Sequence, residues 1–347
     1  MSTLTITLLI ALLILPFVRK LAIRVQLVDS PSERKRHAGS VPVVGGIALY
    51  LAILLYSLIF APSVYTLGLL GFGSILVITG MLDDRFSISP AIRALVEVIV
   101  IALVVWNLDI YVTDLGRVLG SQVILLTGIV AMVFTTFAII GVINAVNMVD
   151  GADGLLGSVS LVSVCAIAAL IAGHENFETQ LTLCLSMAGA LFAFLLFNLR
   201  VFGLKRQVFM GDGGSIFLGY SIAFLLVTVT QGPNAAFDPV VAGWLVGLPL
   251  LDTMSVIVRR ITKGQSPLTG GRDHFHHELI DFGLTQEMAV LVLVAVHSSM
   301  VIVGIVAHLT QLPDALFFWG FVAMTITHHF FTPRLLAKLS QRSVRSH

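Results

Sequence analysis

The sequence predicts an all-α fold, a polytopic membrane helix bundle of about eleven transmembrane helices. The N-terminus is expected outside and the C-terminus in the cytoplasm. Three observations predict this. Of 347 residues, 57% are apolar and only 11% are Asp, Glu, Lys or Arg, whereas an average soluble domain is about a quarter charged. Apolar runs able to cross a hydrocarbon core of roughly 30 Å recur along the chain. The basic residues also segregate to one side of those runs. The composition excludes a water-soluble enzyme, a disordered chain and a nucleic-acid-binding protein, since disorder needs low hydrophobicity and DNA binders carry a basic stripe.

The runs lie near 3–18, 44–61, 66–82, 91–106, 122–143, 155–172, 180–197, 214–230, 239–258, 288–308 and 315–331. The first does not read as a cleavable signal peptide, because Arg19 and Lys20 follow it and no basic stretch precedes it. With alternate loops on alternate sides, one face holds 19–43, 83–90, 144–154, 198–213, 259–287 and the tail. That face, with Arg93 just inside the fourth run, carries 19 of the 20 Lys and Arg residues, leaving Arg117 opposite. Basic loops stay cytoplasmic. Residues 1–347 therefore read as one integral-membrane domain with cytoplasmic active-site loops at 19–43, 83–90, 144–154, 198–213 and 259–287. The outer loops are short, with scattered acids at Asp109, Asp114, Glu175, Glu178, Asp238 and Asp314. Cys165 and Cys184 sit in apolar runs and form neither a disulfide framework nor a CxxC metal signature. The basic tail from Arg334 to Arg345 is expected on anionic headgroups.

The unusual polar residues share the inner face. Asp83 and Asp84 end the third run, where a helix C-terminus disfavours negative charge unless a cation or proton offsets it. Asn144, Asn147, Asp150 and Asp153, with Gly151, Gly154 and Gly157, lie between two apolar helices. Glycine permits sharp bends and close approach to a ligand, and helix capping accounts for only one of those acids. Phe209-Met-Gly211-Asp212-Gly213-Gly214-Ser215 opens the eighth run. Such a helix start offers free N–H groups to phosphate, and an Asp there suits Mg²⁺. No Walker loop is present, and no strand–turn–helix unit supports a dinucleotide fingerprint.

In the longest inner loop, Arg272 precedes Asp273, His274, Phe275, His276 and His277. These histidines could bind zinc, contact phosphate or transfer protons; zinc lacks the usual spaced partners. Ahead of the second run, Arg34, Lys35, Arg36 and His37 read as a positive-inside anchor, which leaves the following Pro42, Gly45 and Gly46 unexplained. Arg93 and Glu97, spaced i, i+4, are expected to pair inside the bundle. Asp252 is a lone acid near the inner end of the ninth run. Carboxylates and phosphates share a site when a divalent cation bridges them. The residues alone thus point to Mg²⁺-dependent phosphoryl chemistry between a soluble nucleotide and a membrane lipid.

The ordered motifs resemble those of the polyprenyl-phosphate N-acetylhexosamine-1-phosphate transferases over about 29–280. They are His37…Pro42…Gly45-Gly46, Asp83-Asp84, Asn144-x-x-Asn147-Met-x-Asp150-Gly-x-Asp153-Gly-Leu, Phe209-Met-Gly-Asp212-Gly-Gly-Ser and His274-x-His276-His277. The histidine pattern is most similar to the bacterial undecaprenyl-phosphate N-acetylglucosamine-1-phosphate transferases. Gly270-Gly271 departs from the pair expected before the Arg. The resemblance implies transfer of a sugar-1-phosphate from a UDP-sugar to a polyprenyl phosphate, with release of UMP, at the cytoplasmic face of a bacterial inner membrane. The cofactor it implies is Mg²⁺, with Mn²⁺ able to replace it. The implied partners are the UDP-sugar, the lipid phosphate and the membrane, with a homodimer allowed and no nucleic acid.

Carried over by position, Asp212 and Asp83 are the implied metal ligands. Asp83, Asp84, Asp150 and Asp153 are the implied catalytic acids. Asn147, Phe209, Arg272, His274, His276 and His277 are expected around the UDP-sugar, with Phe209 stacking on uracil, and Asn198 and Arg93 toward the lipid phosphate. Another UDP-N-acetylhexosamine, or UDP-N-acetylmuramoyl-pentapeptide, is the alternative donor. An ion-coupled transporter is the alternative of another class, although transporters place acids near the midplane and show internal repeats.

Overall fold

The computed structural model describes residues 2–29, 39–266, 271 and 273–345, with side chains described as far as residue 330. The anchor Arg34 to His37, Arg272, and the side chains of the tail from Arg334 to Arg345 lie outside the described residues. Thirteen α-helices dominate the described chain. They are α1 (Thr3–Arg24), α2 (Gly45–Phe60), α3 (Val64–Phe86), α4 (Pro90–Asn107), α5 (Gly128–Met148), α6 (Leu155–Ile171), α7 (Glu178–Asn198), α8 (Asp212–Thr230), α9 (Pro239–Leu245), α10 (Gly247–Thr262), α11 (Phe275–Asp281), α12 (Gln286–Thr310) and α13 (Asp314–Arg345). One antiparallel pair, β1 (Val28–Asp29) with β2 (Val41–Pro42), joins α1 to α2.

Seven helices are long and apolar enough to cross a membrane: α1, α3, α4, α5, α7 with its short lead-in, α8 and α12. The bent pair α9 and α10 makes an eighth if taken as one span, and α2 and α6 are shorter apolar helices. The result is a polytopic all-α membrane bundle.

Two predicted runs differ from the structure. The run at 239–258 is broken, with α9 and α10 meeting at 80°. Pro249 is the physical cause. Its ring clashes with the carbonyl four residues back, that of Leu245, and it has no N–H to donate to it. The run at 122–143 begins only at Gly128. Before it the chain folds back on itself, with Leu126 N–H donating to Thr113 O at 2.8 Å and Leu115 N–H to Ile124 O at 3.0 Å. This outer loop is also built more firmly than expected. The Gln231 side chain accepts the N–H groups of Thr113 and Asp114 at 2.9 Å each, and Asp314 accepts that of Arg117 at 2.8 Å.

Helix α8 is the axis of the bundle. It is apolar all round, the pattern of a helix buried on every side, and α2, α3, α5 and α6 pack against it. Phe217, Tyr220 and Phe224 are its fully buried anchors. Tyr50 of α2 meets the Phe217 ring edge-on at 5.3 Å, and Tyr220 donates to Leu69 O of α3 at 3.2 Å. At the inner end the approach is closer still. A Cβ on Gly46 would lie 2.0 Å from Gly214 Cα, and one on Gly80 would lie 2.2 Å from Gly213 N. Only glycine permits this contact. It brings the start of α2 and the end of α3 directly onto the start of α8.

Candidate active site

The acidic centre follows from that contact. The first-turn N–H groups of α2 have no partners within their own helix. Gly45 donates instead to Phe209 O at 2.8 Å and Gly46 to Met210 O at 3.0 Å, while Phe209 N–H donates to Pro42 O at 2.9 Å. This pairing explains the Pro and Gly residues after the basic anchor: they fix the strand-like 208–210 segment that leads into α8. The Phe209 side chain is half-buried.

Asp84 ends α3, and its carboxylate accepts the backbone N–H of Asp212 at 3.0 and 3.2 Å. The start of α8, with its unpaired N–H groups and positive dipole end, thus supplies what the end of α3 lacks. Asp83 is compensated differently. Arg93 of α4 donates to Asp83 Oδ2 at 2.9 Å, and its guanidinium also lies 3.7 Å from Asp212 Oδ2 and 3.7 Å from Glu97 Oε1. The expected Arg93–Glu97 pair is therefore present, and it is one arm of a larger network. Asn147 of α5 donates to Asp212 Oδ1 at 2.8 Å and to Ser215 Oγ at 2.7 Å. Asp150 is exposed just beyond α5 and acts electrostatically on Asp84. Asp83, Asp84, Arg93, Asn147, Asp150 and Asp212, drawn from four helices and their ends, so form one centre.

Asp153 and Asn198 have other duties. Asp153 accepts from Arg200 at 2.5 Å and from Gln207 at 3.0 Å. Asn198 is buried, accepting Gly154 N–H at 2.6 Å and donating to Val208 O at 2.9 Å. Both clasp the 198–208 loop to the 150–154 turn. Asn198 thus lies in the wall of the site, with its side-chain amide bonded to backbone on both sides.

The histidine arm closes over the same turn. Asp252 of α10 takes His274 Nδ1 at 3.0 Å and caps α11 by accepting Phe275 N–H at 3.0 Å. The rings of His274 and His276 stack 5.9 Å apart and nearly parallel, and His277 packs on His276 at 4.1 Å. A Cβ on Gly151 would lie 2.3 Å from His276 Nε2, so the arm touches the turn that carries Asp150. Arg259 pairs with Glu278, and the buried Arg260 pairs with Asp273 at 3.0 Å. Desolvation pushes the Asp273 carboxyl up, but the bond and charge of Arg260 outweigh it and hold it below its ordinary value. Burial pushes the Glu278 carboxyl up, with Arg259 opposing.

Sequence reasoning left two parts of this site unassigned. Asn144 donates to Glu97 Oε2 at 3.1 Å and so steadies the carboxylate that holds Arg93; its spacing of three from Asn147 was the available signal. Asp252 organises the whole arm, and its only signal was an acid within an apolar run. Among the described residues no group of three or more His, Cys, Asp or Glu is arranged as a ready-made metal cage.

Comparison with known proteins completes the assignment. The family model described as "Glycosyl transferase family 4" matches residues 66–230. An undecaprenyl-phosphate alpha-N-acetylglucosaminyl 1-phosphate transferase of Pasteurella multocida is 35% identical over 99% of this chain and 98% of its own length. The protein of that name in Haemophilus influenzae is 35% identical over 99% of each chain, and that in Escherichia coli K12 is 36% identical over 85% of this chain and 80% of its own. The chain belongs to glycosyl transferase family 4.

As a member of that family it is a glycosyl-1-phosphate transferase, which removes the transporter alternative. The family match begins early in α3 and ends with α8. It therefore encloses every helix that contributes to the acidic centre, from Asp83 to Asp212. The histidine arm lies beyond it and is covered by the full-length relatives of this family 4 enzyme.

Proposed function

We propose that the protein transfers N-acetylglucosamine-1-phosphate from UDP-N-acetylglucosamine to undecaprenyl phosphate. It releases UMP and makes the lipid-linked sugar diphosphate that starts a cell-surface polysaccharide. The observation that carries this reading is the end-to-end likeness to relatives bearing that name. The gathering of Asp84, Asn147 and Arg93 on Asp212, with Asp83 held by the same Arg93, supports it. The proposed topology has eleven crossings, with the N-terminus outside and the site on the cytoplasmic side of a bacterial inner membrane.

The donor set fits Mg²⁺. The acids of the centre outnumber the positive charge of Arg93, leaving an excess of hard oxygen donors. Mg²⁺ binds through one or two carboxylates and substrate phosphates, keeping several waters, so no protein cage is required. Asp212, with Asp83 or the exposed Asp150, would hold it. When bound it supplies charge neutralisation to a diphosphate.

In the proposed step an oxygen of the lipid phosphate attacks the β-phosphorus of the UDP-sugar. The new P–O bond forms as the bond from that phosphorus to the bridging oxygen breaks, and UMP leaves with the electron pair. A phosphate monoester, with a second pKa of about 6, is already mostly ionised at neutral pH, so no general base is needed. Arg93 neutralises and orients phosphate oxygens. Asn147 holds the Asp212 carboxylate in place, and Asp84 holds the start of α8. His274, His276, His277 and Arg272 would meet the sugar and diphosphate, with Phe209 beside the uracil.

The test is UMP release by purified protein with Mg²⁺, a short polyprenyl phosphate and a panel of UDP-sugars. Turnover with UDP-N-acetylglucosamine, stopped by EDTA or by omitting the lipid, is expected. Turnover with another donor alone would reassign the sugar. Release of UMP without lipid would overturn the reaction.

A further inference from the structure

We propose that Ser163 of α6 and His297 of α12 are positioning residues. They latch the helix break and so aim α10, which carries the histidine arm, at the donor site. The inference concerns the donor side of the reaction proposed above and rests on that reading.

The argument begins at Pro249. In an unbroken helix its N–H would bond the Leu245 carbonyl; proline has none. A freed carbonyl inside a membrane must find a donor on a neighbouring element, and Ser or Thr side chains commonly serve. Ser163 Oγ donates to Leu245 O at 2.7 Å and lies 3.0 Å from His297 Nε2. With the serine proton directed to Leu245 O at 2.7 Å, the Ser163 oxygen is left to accept from His297 Nε2. Both side chains are fully buried midway along their helices, where an ionisable residue is costly without a role. The acidic centre makes no use of them.

What they hold is a lever. Helix α10 starts at the break and supplies the arm's main contacts: Asp252 to His274 and Phe275, Arg259 to Glu278, and Arg260 to Asp273. At 1.5 Å per residue, a tilt of about 10° at the break would carry Arg259 roughly 3 Å sideways. That is enough to lift His276 off Gly151. The acceptor side, Asp83, Arg93 and Asp212, hangs on α3, α4 and α8 and would stay in place.

The test compares Ser163→Ala with Ser160→Ala. Ser160 lies one turn away on α6, is equally buried and has no hydrogen-bond partner for its hydroxyl. In Ser163→Ala, KM for the UDP-sugar is expected to rise about 3- to 15-fold, the range of one interhelical hydrogen bond in a membrane. KM for the lipid phosphate should stay within about twofold of wild type, and His297→Leu should follow the same split. Ser160→Ala should leave both constants unchanged. Equal behaviour of the two serine variants, or equal loss on both substrates, would overturn the latch.

A second measurement does not depend on turnover. Spin labels at Val258→Cys on α10 and Leu291→Cys on α12, both exposed, placed in a chain with Cys165 and Cys184 replaced by Ala, report the tilt of α10. The latch requires the distance distribution to broaden or shift in Ser163→Ala. An unchanged distribution would refute it, even where wild-type protein accepts a different UDP-sugar from the one proposed.

Discussion

The carboxylate of Asp84 accepts the backbone N–H of Asp212 with both oxygens, at 3.0 and 3.2 Å. An acid at the end of one helix thereby caps the beginning of another, and the second helix carries the acid that faces Arg93. Two adjacent aspartates, alike in sequence, do different work: Asp84 holds backbone and Asp83 holds Arg93. Asp84→Ala is expected to cost about 1 kcal/mol of stability, the scale of a lost cap. Turnover should fall about 10²-fold, the effect of displacing a catalytic group by roughly 1 Å. Thermal unfolding and UMP release of the variant check this, and an unmoved unfolding midpoint would show that Asp84 caps nothing.

Arg93 faces Asp83, Glu97 and Asp212 together. Arg93→Ala is expected to lower turnover by about 10² or more, the usual cost of a positioned charge stabiliser. Arg93→Lys should recover only part of it, because a lysine is a point charge without the planar fork that reaches several acids. Steady-state rates of both variants give the comparison. Full activity in Arg93→Lys would mean that the fork is not used.

The seat of the histidine arm has its own test. Gly151→Ala would put a Cβ 2.3 Å from His276 Nε2, so the His276 ring must shift while Asp83, Arg93 and Asp212 remain. KM for the UDP-sugar is expected to rise severalfold while protein yield and KM for the lipid phosphate hold. Titration of UDP-sugar at saturating lipid phosphate measures it, and an unchanged KM would separate the arm from the donor.

The glycine contacts at the inner end predict a different failure. Gly46→Ala and Gly80→Ala each force a carbon against the backbone of α8, at Gly214 and Gly213. Overpacking typically costs about 1–3 kcal/mol. Here backbone meets backbone, so the expected outcome is poor recovery of folded protein, read by size-exclusion profile and unfolding midpoint. Wild-type behaviour in both would contradict the packing.

Much of this could be read from the residues. The bundle was legible because hydrocarbon imposes long apolar runs, and the Arg93–Glu97 pair because one helical turn separates them. The acidic pair, Asn147 and Asp212 stood out as polar groups that an apolar surrounding does not tolerate without cause. What stayed hidden depends on distance between helices. Nothing local to Asp84 says that its partner is a backbone N–H 128 positions later. Nothing local to Asp153 says that Arg200 and Gln207 draw it into a loop clasp. Pro249 was a further overlooked local signal, since a proline removes a helix hydrogen bond, although Pro16 sits within α1 without breaking it. The outer hairpin before Gly128 was masked by its own apolar residues, Val123 to Leu126, which run on into the helix in sequence but stay outside it, with Val123 and Leu125 exposed.

The most direct measurement is UMP release by purified Asp212→Ala with Mg²⁺, UDP-N-acetylglucosamine and polyprenyl phosphate, alongside its unfolding midpoint. Asp212 is where α3, α4 and α5 converge on α8, so turnover should fall by about 10² or more in protein that still folds. Folded Asp212→Ala protein that releases UMP at near the wild-type rate would contradict an active site built around this aspartate.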